Sequence, residues 1–127
     1  MTSRSEIEYL MKRSKEFLET AKIQIERGYY NLAAFSLDQS LQLFLKAKLL
    51  SKGVEYPKTH SLRRLLEILA EVSSEKGRIQ ELLDTYLLEL GILEDAYITS
   101  RYIGREFRKK EVEKLEKAVM EIMKSVP

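Results

Sequence analysis

The segment from Tyr30 to Ser51, YNLAAFSLDQSLQLFLKAKLLS, contains no glycine or proline and ends just before Gly53. Ala33, Ala34, Leu37, Leu41, Phe44, Leu45 and Leu49 recur along it at three- and four-residue steps, so they spread over a wide arc of one helix. A helix with so broad an apolar surface has to be covered from several sides. This requirement restricts the chain to folds in which other elements surround that segment.

The remaining segments supply helices for the task. Ile7, Leu10, Met11, Phe17, Leu18, Ala21 and Ile25 mark a first helix from near Ser3 to Gly28. Pro57 and Thr59 open a third, which faces inward through Leu62, Leu65, Leu66, Leu69 and Val72. A fourth is expected from about Arg78 to Tyr102, with Ile79, Leu82, Leu83, Tyr86, Leu90, Leu93 and Tyr97 as its stripe. After Gly104, Val112, Leu115, Val119 and Ile122 define the last. The alternating pattern of a half-buried strand is missing. Short connections between long helices make neighbours antiparallel. The predicted fold is therefore all-α: an up-and-down antiparallel bundle of about five helices, one domain over residues 1–127.

Composition removes several classes of chemistry. Without cysteine there is no disulfide, thiolate nucleophile or cysteine-held metal, and the single histidine, His60, cannot build a multi-histidine site. No clustered carboxylate motif points to magnesium. No metal or other cofactor is expected. No apolar run approaches the ~20 residues of a membrane span. The first residues, MTSRSEIEYL, lack the apolar core of a signal peptide, which predicts a cytoplasmic protein. Phosphate loops, Rossmann fingerprints and nucleophile elbows are also missing.

Three features could carry function. His60 sits in PKTHSLRRLLEIL between a proline and an apolar helix, where a histidine either opens the helix or acts as a general acid or base. Asp38, Gln39, Gln42 and Lys46 form a polar line along the otherwise apolar second helix, so they are either solvated or joined in a network inside the bundle. In EDAYITSRYIGREFRKK, Tyr97, Arg101 and Tyr102 gather at a helix end, and RYIGREFRKK holds five basic residues and one acid. A helix dipole favours arginine at that position, but Arg and Tyr together are also what phosphate contact and base stacking use.

Taken together, GYYNLAAFSLDQSLQLFLKAKLLSKG, THSLRRLLEIL and LEDAYITSRY resemble, in order and spacing, three elements of HEPN domains. These are the early helix pair running from a glycine-aromatic start to a lysine, the Thr-His-x-Leu opening, and the Tyr-x-x-x-Arg-Tyr element. The name stands for nucleotide binding in higher eukaryotes and prokaryotes. The resemblance covers essentially the whole chain and implies an up-and-down helical bundle, often a homodimer. It also implies pairing with a minimal nucleotidyltransferase in a toxin–antitoxin or two-subunit system. Many members are metal-independent RNases that use an Arg followed four to six residues later by His. In this chain YIGREF follows Arg101 and no histidine occurs after His60, so that motif is missing. Ile103 also stands where the family commonly has proline.

The resemblance therefore implies a non-enzymatic accessory module that binds a nucleotide or RNA phosphate together with a protein partner. Arg101, Tyr102 and Tyr97 are the expected contacts, joined by His60, Gln39 and Lys46, with no catalytic residue. On this reading His60 opens its helix and can line a pocket. An RNase built on Arg101 with His60, and a dimerisation scaffold without ligand, are the alternatives. Seven tyrosines and four phenylalanines exceed what a thin bundle can bury, which predicts a homodimer.

Overall fold

A computed structural model describes residues 3–99 and 105–127. Among the described residues six helices follow one another: α1 Ser3–Glu26, α2 Tyr30–Ser51, α3 Leu62–Val72, α4 Lys76–Thr85, α5 Leu87–Thr99 and α6 Lys109–Ser125. No strand occurs among the described residues. The all-helical expectation holds, with one helix more than about five.

α2 is the central element, packing against α1, α3, α5 and α6. Its seven predicted apolar residues, from Ala33 to Leu49, are all buried. α1 lies along it through small side chains. Ser14 Oγ donates to the Ser40 carbonyl and Ser40 Oγ to the Ser14 carbonyl, each at 2.7 Å, and Ser36 Oγ donates to Gln24 Oε1 at 2.7 Å. Earlier residues of α1 thus meet later residues of α2, and the chain reverses between them. Gly28 makes the reversal possible with φ 79°, a left-handed conformation that costs glycine nothing.

α3 buries Leu62, Leu65, Leu66, Leu69 and Ala70, and α6 buries Val112, Leu115, Ala118, Val119 and Ile122. Val72, expected inward, is 42% exposed because α3 ends there. Asn31 at the start of α2 holds the segment before α6: its Nδ2 donates to the Arg105 carbonyl at 2.7 Å and its Oδ1 accepts from the Phe107 N–H at 2.8 Å.

The helix expected from Arg78 onward divides at Tyr86. Tyr86 N–H still donates to the Leu82 carbonyl at 3.0 Å, and Leu90 N–H to the Tyr86 carbonyl at 2.9 Å. The interruption is therefore one residue wide and keeps its flanking hydrogen bonds. It lets α4 pack on α3 while α5 turns toward α2. In consequence α5 buries Leu90, Leu93 and Ala96, and Tyr97, placed in the stripe by periodicity, stands 46% exposed.

Candidate functional site

The polar line on α2 forms a network within the fold. Asp38 and Gln42 are buried, while Gln39 and Lys46 are half-buried. Asp38 Oδ2 accepts from Gln42 Nε2 at 3.0 Å and from Gln39 Nε2 at 3.3 Å. Asp38 Oδ1 is buried without a hydrogen-bond partner among the described residues. Burial pushes this carboxyl up to about 7, since a charge removed from water is costly. The negative charge of Glu94 acts in the same direction, against the two amide hydrogen bonds and Lys46. Glu94, on α5, is held by Arg63 of α3 through an Nε–Oε2 contact of 2.6 Å.

His60 reaches this network from the α2–α3 connection. The Thr59 N–H donates to the Pro57 carbonyl at 2.9 Å, and Thr59 Oγ1 accepts from the Ser61 N–H at 3.1 Å. Ser61 then caps α3, its Oγ accepting from the Arg64 N–H at 3.1 Å. His60 thus precedes the cap residue rather than supplying it. The exposed ring places Nδ1 3.4 Å from Gln42 Oε1. A turn further along α2, Lys46 Nζ lies 5.3 Å from the centroid of the Tyr56 ring, within cation–π range. Burial lowers the Lys46 ammonium below its ordinary range, and Asp38 partly offsets this. The Tyr56 hydroxyl donates to Glu6 Oε2 at 3.2 Å, tying α1 to the same end of the site.

The structure thus gathers Gln42, His60, Lys46 and Tyr56 near the C-terminal half of α2. Tyr97 lies at the other end of the stripe, its ring 5.9 Å from that of Phe35 and tilted 47°. From Phe35 to Lys46 the helix rises about 16 Å at ~1.5 Å per residue. Arg101 and Tyr102 lie outside the described residues. Of the basic segment, Arg105 stacks over Phe107 at 4.3 Å and donates to Glu111 Oε2 at 2.7 Å. Arg108, Lys109 and Lys110 are exposed at the start of α6.

Sequence reasoning missed Tyr56, Glu6 and the Arg63–Glu94 pair. Their partners are distant in the chain, and no local spacing signals them. The assembled groups are an exposed imidazole, a half-buried ammonium and oriented amides, which can contact hydroxyls, phosphates or base edges. Among the described residues no group of three or more metal-ligating side chains comes together. No helix there is long and apolar enough to cross a membrane.

The HEPN domain family model matches residues 7–127, nearly the whole chain. No curated protein matches the sequence.

Proposed function

The chain belongs to the HEPN domain family, and on that premise we propose that it is a non-catalytic accessory module binding a nucleotide or RNA phosphate. The observation that carries the proposal is the stripe of Gln39, Gln42 and Lys46 on the most buried helix, with His60 reaching Gln42 from the α2–α3 connection. Asp38 and Gln42 are buried at the root of this stripe, and buried polar groups cost stability unless paired, which calls for a reason beyond packing. Arg101, Tyr102 and Tyr97 are the further contacts of this reading. Arg101 supplies a two-pronged phosphate contact in this reading, and a tyrosine ring stacks on a base or orients the arginine.

In the same reading the fold is a single domain in an up-and-down antiparallel bundle, which the α1–α2 reversal supports. The protein works in the cytoplasm beside a minimal nucleotidyltransferase, as a toxin–antitoxin-like pair. It acts as a homodimer, to which the exposed Leu87, Leu88 and Ile98 of α5 lend support. The RNase alternative rests on Arg101 acting with His60, and the scaffold alternative needs no ligand. Titrating the purified protein with ribonucleotides and short RNA, while following RNA length, separates the three. Binding without cleavage is expected. Cleavage that depends on His60 would favour the RNase, and absence of any binding would favour the scaffold.

A further inference from the structure

We infer that Asp38 and Gln42 are positioning residues that hold neutral His60 in its Nδ1–H form and present Nε2 as a hydrogen-bond acceptor for a ligand hydroxyl or N–H. The argument starts from the buried carboxyl. A carboxylate only accepts, and the donor on a glutamine side chain is its NH2 group. Because Asp38 Oδ2 receives Gln42 Nε2 at 3.0 Å, the amide cannot turn over without setting two acceptors against each other. Gln42 Oε1 is therefore the atom that faces His60, at 3.4 Å from Nδ1. An amide oxygen can only accept, so Nδ1 must carry the proton. In a neutral imidazole the other nitrogen, Nε2, then bears the lone pair.

The order belongs to the ionised carboxylate, which can only accept and whose Oδ2 takes both amide donors. The neutral acid has an O–H of its own to donate and no longer dictates which way the Gln42 amide faces.

The consequence is chemical selectivity. An unprotonated Nε2 repels phosphate oxygens, which also only accept, and attracts a ribose hydroxyl or a base N–H. On the nucleotide-binding reading, from which the ligand follows, His60 reads the sugar or base, and the phosphate is left to cationic side chains.

His60 is the only histidine in the chain, so its ring nitrogens can be followed by NMR without assignment ambiguity. In alkaline buffer the wild-type protein should show a proton on Nδ1 and a pyridine-like Nε2. Gln42→Met keeps the length of the side chain but removes the oxygen, and should shift His60 to the Nε2–H form that free histidine favours. A wild-type ring carrying its proton on Nε2, or a Gln42→Met ring unchanged from wild type, would overturn the inference. Titration with the four ribonucleoside monophosphates, and separately with inorganic phosphate, then tests the ligand. The expected result is a Nε2 shift with a nucleotide and none with phosphate alone. A shift with phosphate alone would overturn the acceptor role. The predicted wild-type and Gln42→Met tautomers with no response to any nucleotide would uphold the positioning by Asp38 and Gln42 and refute nucleotide binding instead.

Discussion

Replacing Asp38 by asparagine should make the protein more stable, and only above acid pH. The folded carboxyl holds its proton up to about 7, against an ordinary 3.8. Between those values the folded state binds one proton more than the unfolded chain, so stability falls as pH rises. At about 1.4 kcal/mol per pH unit, the accumulated cost approaches about 4 kcal/mol once pH exceeds 7, an upper bound because the site can relax or admit water. The asparagine side chain has nearly the shape of the protonated acid, keeps an oxygen for the two glutamine amides, and never ionises. The stability difference between variant and wild type should thus be near zero around pH 4, grow with pH, and level off above 7. For a chain of this size each kcal/mol is roughly 4 °C in Tm, so the gain at pH 8 is bounded at about 16 °C. Urea denaturation followed by far-ultraviolet circular dichroism, at one protein concentration across pH 4–8, measures it. Every other titrating group is common to both proteins and cancels in the difference. A difference that stays flat across that range would refute the reasoning, because it would mean that Asp38 ionises as readily when folded as when unfolded.

Three further outcomes can be checked. Leu37→Ala removes a fully buried side chain from the centre of α2 and should cost about 2–5 kcal/mol in denaturant titration. Leu88 is 74% exposed on α5, so Leu88→Lys should leave the monomer fold intact yet raise the fraction of monomer seen by light scattering at micromolar concentration. Arg101→Ala should weaken nucleotide or RNA binding by about 1.5–3 kcal/mol, against about 1 or less for Lys110→Ala, with affinity falling steeply as salt rises. Unchanged affinity in a folded Arg101→Ala protein, checked by its Tm, would end the phosphate-contact proposal.

Helix ends were legible in the sequence where a glycine follows them. α2 begins and ends at the residues its composition indicates, because glycines follow closely on the ends of α1 and α2. The break at Tyr86 was hidden. No glycine or proline marks it, and its cause is the separate packing of α4 on α3 and α5 on α2, which local periodicity does not encode. Past that break Ala96 is buried and Tyr97 is 46% exposed. On the site side, Asp38 and Gln42 could be recognised as polar residues among apolar ones, and the network they form follows from the need of buried polar groups for partners. That His60 would meet Gln42, or that Arg63 would claim Glu94, depends on contacts across eighteen and thirty-one residues.

A carboxyl at position 38 is an expensive way to build the middle of a bundle. Even a part of the ~4 kcal/mol upper bound is a large share of the roughly 5–15 kcal/mol by which domains are stable. Leucine there would extend the apolar arc of α2 and remove an acceptor that lacks a partner among the described residues. It would also release Gln42, whose amide would then be free to turn either face toward His60. The polar stripe therefore trades stability for direction: a buried acid fixes an amide, and the amide fixes an exposed ring. Packing alone asks for no such order. A group that meets a ligand does, because an imidazole can accept a hydrogen bond from it only while the correct nitrogen is bare.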